Sequence, residues 1–348
     1  MGMGVAQPME RPEVEFKVFQ FPPDRIPRID GRADDWAMVP KEYAIGMEQL
    51  SDTTGGRGTN VVRSDLDVVV KVGWVKGLRQ LYFLYEASDD YWDFARPDLH
   101  NDIFELVVDG DLSGGPFIKH MHPALKDRHA EAHFQFHGVH AQNYHIFTPS
   151  EGKDWTMVWG CQPWIKELPF ANAAQTYDFR PGQGGKYVLE FWITPFDYAP
   201  AEGPGRAVIS KLEENGVLGM SWSVLDYDDE KSERNEAFWN LSHKTTMYGD
   251  ASDLCRFRLM PLAEGFRKPI EVQWKFQVLD SSRRRVAFQD LSVGEIRSWK
   301  WEFGDGAVSS ERHPIHDYAA GGEYTVVLWA EGPSGRVRRA KVWDLFLE

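Results

Sequence analysis

Histidines are concentrated in one part of this sequence. Eight of the eleven fall within 46 residues. The pattern from Ala132 predicts a strand, whose alternation would place His133, Gln135 and His137 on one face and two phenylalanines on the other. A polar strand face of this kind is suited to lining a cleft. The eight histidines are His100, His120, His122, His129, His133, His137, His140 and His145.

Three interpretations of these histidines compete. A zinc site needs three or four converging ligands, and the pairs 120/122 and 133/137 have suitable spacing without forming a recognised signature. General acid–base catalysis needs a histidine beside a group such as tyrosine, and His137, His140 and Tyr144 are the candidates. The third interpretation is that the rings only form hydrogen bonds with sugar, backbone or water.

A second chemically rich stretch is the loop between two predicted strands, Leu81–Tyr85 and Ile103–Val108. A polar and aromatic loop carried by buried strands is a common form of binding site. Tyr91 and Trp92 are the candidates for stacking on a ligand, and the alternative is a solvated loop with Trp92 in the core. The polar and aromatic groups of this loop are Asp89, Asp90, Tyr91, Trp92, Asp93, Arg96, Asp98, His100, Asn101 and Asp102.

An acidic run, residues 226–230, follows the predicted strand Met220–Leu225. Calcium prefers several oxygen ligands, so Asp226 and Asp228 are candidate metal ligands. A solvated acidic turn is the alternative. The residues that follow, Arg234, Asn235 and Trp239, form a polar and aromatic group suited to a ligand.

Composition limits the classes of partner. The 348 residues favour two domains, and the formal charge is −14. Residues 267–348 carry 13 basic and 12 acidic side chains, so residues 1–266 carry the remaining 26 and 41, a net charge of −15. So acidic a surface argues against nucleic acid or anionic lipid as a partner. It suits cations and neutral ligands.

Neither a membrane span nor a signal peptide is expected from the sequence. No apolar run reaches about 18 residues, and the first residues lack a basic region followed by an apolar core. The two cysteines, Cys161 and Cys255, either form one disulfide or remain as free thiols, and the sequence does not decide between them.

The hallmarks between residues 24 and 262 form an ordered series that resembles family 9 carbohydrate-binding modules. The resemblance implies a β-sandwich with bound calcium and a saccharide slot walled by aromatic rings. The His-rich segment 112–147 departs from the family pattern and leaves room for a catalytic site. The hallmarks are Ile29-Asp30-Gly31 with Asp34, Asp35 and Trp36; Leu81–Tyr85 with Asp89 and Asp90; Asn101-Asp102, Phe104-Glu105-Leu106 and Asp109; Tyr187, Glu190 and Ile193-Thr194-Pro195; and Trp222, Asp226, Asp228 and Trp239.

The C-terminal part resembles polycystic kidney disease (PKD) domains. It contains Trp301-x-Phe303-Gly304-Asp305-Gly306, then Pro314-x-His316-x-Tyr318, then Gly322-x-Tyr324-x-Val326. The resemblance implies a small immunoglobulin-like sandwich in which His316 is structural. Such domains are common in secreted bacterial proteins that degrade polysaccharides.

The sequence therefore predicts an all-β protein with two domains. Residues 1–266 are expected to form a large β-sandwich with an N-terminal arm, and residues 267–348 an immunoglobulin-like β-sandwich. The expected function is binding of a polysaccharide or oligosaccharide, with structural calcium, at the cell surface, in the periplasm or after secretion. The alternatives are a polysaccharide lyase or glycoside hydrolase that acts through segment 120–145, or a structural protein that binds no sugar.

Overall fold

The computed structural model describes residues 9–96, 98–128, 130–150 and 152–345. The chain divides into two compact units, Met1–Pro261 and Leu262–Glu348. Both consist mainly of strands, so the predicted all-β class is confirmed. In the described part of the chain, no helix is long and apolar enough to cross a membrane.

The strands of the N-terminal unit are β1 (Glu15–Gln20), β2 (Ile45–Gly46), β3 (Ser51–Asp52), β4 (Leu66–Trp74), β5 (Leu81–Asp89), β6 (Ile103–Asp109), β7 (Gln142–Ile146), β8 (Thr156–Val158), β9 (Ala171–Tyr177), β10 (Gly185–Ile193), β11 (Phe196–Tyr198), β12 (Val208–Ile209), β13 (Val217–Asp226), β14 (Ala237–Asn240) and β15 (Cys255–Leu259). An α-helix, α1, covers Ala130–Phe136. Short 3-10 helices lie at Asp34–Met38, Lys41–Tyr43, Met47–Gln49, Lys119–Met121, Pro163–Lys166, Pro204–Arg206, Thr245–Tyr248 and Ala251–Asp253.

Strand β1 links two sheets of the N-terminal unit. Its first four residues pair in parallel with β15, and Phe19 and Gln20 pair with β4. The first sheet has the order β8-β7-β6-β13-β15-β1, and the second has the order β1-β4-β5-β10-β9. The ring centroid of Phe104, on the first sheet, lies 4.7 Å from that of Tyr85 and 6.2 Å from that of Phe191. Tyr85 and Phe191 are both on the second sheet. The two sheets therefore share one core, as in a β-sandwich.

Strand β6 is buried on both faces. Successive side chains of a strand point to opposite faces, and Phe104, Leu106 and Val108 belong to the core between the sheets. On the other face, Val107 packs in a second apolar cluster with residues of segments 117–141 and 247–254. The residues of this cluster cover part of the outer face of β6, the face on which Glu105 lies.

The histidine segment is helical where the sequence predicted a strand. Ala130–Phe136 forms α1, and no strand includes residues 132–137. Alanine, glutamate and glutamine favour helix, and this preference prevailed over the alternation of histidine and phenylalanine. His133 and His137 are four residues apart, so they meet at the same side, with ring centroids 4.4 Å apart.

Other local predictions are confirmed. Strands β4 and β5 form an antiparallel pair, and Trp36 is fully buried, with its Nε1 donating to Glu190 Oε1 at 2.8 Å. Both cysteines are free thiols, so the disulfide alternative is wrong.

The C-terminal unit has two sheets, with the orders β16-β17-β20 and β19-β18-β21-β22. Its core includes Trp274, Phe288 and Trp301. His316 contacts Asp305 Oδ2 at 2.7 Å through Nε2 and stacks on Phe303, a structural arrangement. The strands are β16 (Trp274–Asp280), β17 (Arg285–Asp290), β18 (Ser298–Glu302), β19 (Val308–Ser309), β20 (Ile315–Asp317), β21 (Gly322–Gly332) and β22 (Gly335–Leu345), and a 3-10 helix covers Glu264–Phe266.

Candidate functional site

Carboxylates from five strand ends meet at one end of the N-terminal sandwich. Strands β5 and β13 end there, and β4, β6 and β14 begin there. Three groups of three carboxylates each place one oxygen per residue within 4.8 Å of the others. We call the seven residues of these groups the acidic cluster: Asp65, Asp89, Asp90, Asp102, Asp226, Asp228 and Glu236.

Backbone amides hold some oxygens of the acidic cluster and leave others without a partner. Asp102 accepts from Asp93 N at 2.6 Å and from Tyr227 N at 2.8 Å. Asp89 Oδ1 accepts from Tyr91 N at 2.9 Å. Asp89 Oδ2, Asp226 Oδ2 and Asp228 Oδ1 are buried without a hydrogen bond. Since buried polar atoms are normally paired, these oxygens mark a place for a ligand.

The negative charge of the acidic cluster exceeds the positive charge beside it. Arg57 contacts Asp65 and Glu236, and its Nη1 lies 3.9 Å from Asp226 Oδ2. Burial and the neighbouring carboxylates raise the pKa of Asp89 and of Asp226 to about 7. The pKa of Asp228 rises to about 8 through burial, a hydrogen bond with Glu236 and the Asp226 charge. A bound cation would relieve this repulsion.

The donor set of the acidic cluster fits a hard cation. All three groups consist of carboxylates, and calcium takes six to eight oxygens. The predicted ligands Asp226 and Asp228 therefore lie together with partners from other strand ends. Zinc prefers nitrogen and sulfur ligands in structural sites, and none of these groups includes a histidine or cysteine.

The residues predicted to bind a ligand do not form an aromatic slot. Trp92 and Trp239 are each 1% exposed. The Trp92 ring stacks on Phe94 and Phe179, and Trp239 belongs to the main core. Their ring faces are covered by protein, so the expected stacking on sugar is incompatible with their burial.

The other three predicted ligand residues lie in the loops around the acidic cluster. Tyr91 is partly exposed and follows Asp89. Arg234 is exposed, and Asn235 Nδ2 donates to Ala237 O at 3.1 Å.

The three residues predicted for catalysis do not converge. Tyr144 is fully buried in the core between the sheets. His140 is exposed, and its Nδ1 lies 3.3 Å from Asp197 O. His137 follows α1 and is buried on the outer side of the sheet, with its ring centroid 6.1 Å from that of Trp159. A catalytic group of these three side chains is therefore incompatible with the fold.

A different set of polar residues meets on the outer face of β6 and β7. Glu105 is buried, and its Oε1 lies 3.1 Å from His145 Nε2 and accepts from Asn143 Nδ2 at 2.7 Å. Its Oε2 accepts from Ser223 Oγ at 3.0 Å. These hydrogen bonds and the histidine lower the pKa of Glu105 despite its burial. We call Glu105, Asn143 and His145 the polar floor.

Two partly exposed aromatic residues border the polar floor. The Trp159 ring centroid lies 5.2 Å from His145, and Trp159 N donates to Asn143 O at 2.9 Å. Tyr248, at the end of a 3-10 helix, contacts the floor through its backbone, since Asn143 Nδ2 donates to the Tyr248 carbonyl O at 3.1 Å. His145 Nδ1 and Asn143 Oδ1 are buried without a hydrogen bond. The floor therefore combines unpaired acceptors with apolar ring surface, the two components of a saccharide site.

Sequence reasoning missed the polar floor. Its residues lie on two strands that are separated by a segment of more than thirty residues, and only the pairing Glu105↔His145 brings them together. The available signal was the alternation of β6 and β7, which places Glu105, Asn143 and His145 on the face away from the core.

Comparison with known proteins gives one family match and several similar solved structures. Residues 269–343 match the family model described as PKD domain. No curated protein matches the sequence. The PKD1 domain of Vibrio anguillarum Epp is 23% identical and covers 24% of this chain and 99% of its own, with a TM-score of 0.22.

A solved family 9 carbohydrate-binding module from Caldicellulosiruptor kristjanssonii, in complex with cellotriose, is similar to the larger part of the chain. It is 14% identical and covers 74% of this chain and 100% of its own, with a TM-score of 0.46. Residues 269–343 thus match PKD domains, and the N-terminal unit is a β-sandwich that has a family 9 carbohydrate-binding module among its similar solved structures.

Proposed function

We propose that the N-terminal unit binds saccharide at the polar floor, between Trp159 and Tyr248, and that the acidic cluster holds structural calcium. The observation that carries the binding proposal is the unpaired, buried polar atoms of the floor beside two partly exposed rings. Sugars present hydroxyl groups at their rim and C–H groups on their faces, so they match both components.

The tautomer of His145 defines what the floor offers. Glu105 accepts a hydrogen bond from His145 Nε2, so in the neutral ring Nδ1 carries the lone pair. Asn143 donates both of its amide hydrogens to protein oxygens, which leaves its Oδ1 as a second acceptor. Two sugar hydroxyl groups would donate to these two atoms. Because both atoms are covered, binding would displace contacts now made by Trp159 or Tyr248.

Calcium at the acidic cluster would be structural. The cluster joins the ends of β5 and β13 to the starts of β4, β6 and β14, so an ion there would cross-link both sheets. Asp89, Asp102 and Asp226 would form its buried part, and Asp65, Asp228 and Glu236 its outer part.

The pair of domain types supports a proposal for the ligand class and the location. Family 9 hallmarks and a PKD domain together are typical of proteins that act on polysaccharides outside the cytoplasm. We therefore propose a polysaccharide or oligosaccharide as the partner, a role in polysaccharide degradation, and secretion or cell-surface display.

Truncation of either bordering ring is expected to weaken saccharide binding. Trp159→Ala and Tyr248→Ala should each lower affinity for the bound polysaccharide about tenfold, because a stacked ring contributes about 0.5–1.5 kcal/mol beyond area burial. The measurement is affinity electrophoresis on a panel of neutral and uronate polysaccharides, followed by calorimetry with the best ligand.

The matched control is Tyr177→Ala, since Tyr177 is 50% exposed on β9 of the other sheet. It should retain the affinity of the unmodified protein. Thermal unfolding of each variant separates loss of binding from loss of fold. Equal affinity in folded Trp159→Ala, Tyr248→Ala and unmodified protein would place the saccharide elsewhere.

A further inference from the structure

Basic side chains gather near Trp159, the indole that borders the polar floor. His133 and His137 have ring centroids 4.4 Å apart, and Lys119 N donates to His137 Nδ1 at 3.5 Å. His120 is exposed on the same 3-10 helix as Lys119, with its ring 6.3 Å from Tyr248. We call Lys119, His120, His133 and His137 the basic cluster.

His137 contains a buried donor without an acceptor. Because Lys119 N donates to its Nδ1, the neutral ring carries its hydrogen on Nε2. His137 is 6% exposed, and Nε2 has no hydrogen-bond partner. An unpaired buried donor costs about 1–3 kcal/mol, so this position favours a ligand oxygen.

The surroundings of His137 favour a negatively charged oxygen. Burial and three basic neighbours, His133, His120 and Lys119, together lower the pKa of His137 to about 4. Lys119 and His133 are partly exposed and His120 is exposed, so an anion can reach the rim of the basic cluster from solvent. A carboxylate there would accept from His137 and compensate the Lys119 charge.

The basic cluster and the polar floor share Trp159. The Trp159 ring centroid lies 5.2 Å from that of His145 and 6.1 Å from that of His137. A single sugar residue stacked on this indole can therefore present hydroxyl groups to the floor and an anionic substituent to the basic cluster.

We propose that the basic cluster is an anion subsite and that the saccharide bound at the floor is acidic, a uronate or a sulfated sugar. This inference rests on the proposed saccharide site. In this proposal Lys119 and His133 make the site prefer charged over neutral saccharides. Both are partly exposed at the rim, and their described contacts are with His137 rather than with the floor residues.

The test compares polymers that differ only in charge, using the full chain with calcium. Polygalacturonate is paired with its carboxyl-reduced form, and a sulfated galactan with its desulfated form. We expect at least one charged polymer to bind about tenfold more tightly than its neutral partner, and the pair that differs identifies carboxylate or sulfate as the anion. Lys119→Ala and His133→Ala should remove this preference and leave affinity for the neutral polymer unchanged.

Lys126→Ala is the matched control, because Lys126 is exposed in the same segment and outside the basic cluster. It should keep the preference. Binding of both members of each pair with equal affinity would overturn the anion subsite and leave the saccharide site intact. A preference that survives in folded Lys119→Ala and His133→Ala would also overturn it. Absence of binding to every polymer would overturn the saccharide site itself.

Discussion

Calcium is expected to raise the melting temperature of the N-terminal unit by about 5–10 °C. A ligand at a hundred times its dissociation constant stabilises a folded protein by about 2.7 kcal/mol, and each kcal/mol shifts a unit of this size by about 2–4 °C. The physical reason is the repulsion among the buried carboxylates Asp89, Asp102 and Asp226. Arg57 offsets part of this repulsion, with its Nη1 3.9 Å from Asp226 Oδ2. Thermal unfolding with calcium and with a chelator measures the shift.

Protons and calcium should compete at the acidic cluster. In the folded protein the pKa of Asp89 and Asp226 is about 7 and that of Asp228 about 8, whereas an unfolded aspartate titrates near 3.9. Between those values the folded state keeps protons that the unfolded state releases. Without calcium, these groups therefore stabilise the protein at low pH, and that contribution is lost as pH rises through 7 to 8.

Stabilisation by calcium should have the opposite pH dependence. It should be largest above pH 8, where the carboxylates are ionised, and should decline as they take up protons below pH 7. His137, whose pKa is lowered to about 4, destabilises the folded protein only below its ordinary pKa of about 6.5. The comparison is therefore best made between pH 6.5 and 8.5.

Substitution of one buried ligand provides the control for calcium. Asp226→Asn removes a charge at the centre of the acidic cluster and should abolish most of the calcium-dependent shift. Asp127→Asn removes an exposed carboxylate outside the cluster and should retain the full shift. A shift below about 1 °C in the unmodified protein at millimolar calcium, or a full shift in Asp226→Asn, would contradict a calcium site here.

Local pattern was sufficient to predict several of the strands. Residues 81–85, 103–108 and 187–193 alternate or form short apolar runs between turn signals, and each lies within a strand. The PKD hallmark also predicted two core residues of the C-terminal unit. Trp301 and Phe303 are two residues apart, so they were expected on one face, and both lie in the core. Such features depend on neighbours in the sequence, which the sequence displays directly.

The site depends on residues that are distant in sequence. Asp226 and Asp228 could be proposed as metal ligands from their own acidic run, but Asp65, Asp89 and Asp102 join them only because antiparallel strands end together. The sequence next to a tryptophan does not determine whether its side chain is buried. Trp92 lies in an acidic run and Trp159 follows the apolar residues Met157 and Val158, yet Trp92 stacks in the core while Trp159 is partly exposed.

Substitution of Trp301 is expected to destabilise the C-terminal unit strongly. Trp301 is fully buried, its ring centroid lies 5.5 Å from those of Trp274 and Phe288, and its Nε1 donates to Glu311 O at 3.1 Å. Large-to-small substitution of a buried tryptophan costs about 3–5 kcal/mol. Since a small domain is stabilised by only about 5–15 kcal/mol, Trp301→Ala should lower its melting temperature by roughly 15 °C or more.

Calorimetry can assign this effect to one unit because only one of the two unfolding transitions is expected to depend on calcium. The transition that moves with calcium belongs to the N-terminal unit, and Trp301→Ala should leave it unchanged while the other transition shifts or disappears. Trp329→Ala is the matched control, since that partly exposed indole lies 4.4 Å from Arg336 and 5.0 Å from Arg338 on the outer face of β21 and β22. It should shift the C-terminal transition by a few degrees at most. Equal shifts of both transitions in Trp301→Ala would contradict this expectation, because the two units would then unfold together despite their separate hydrophobic cores.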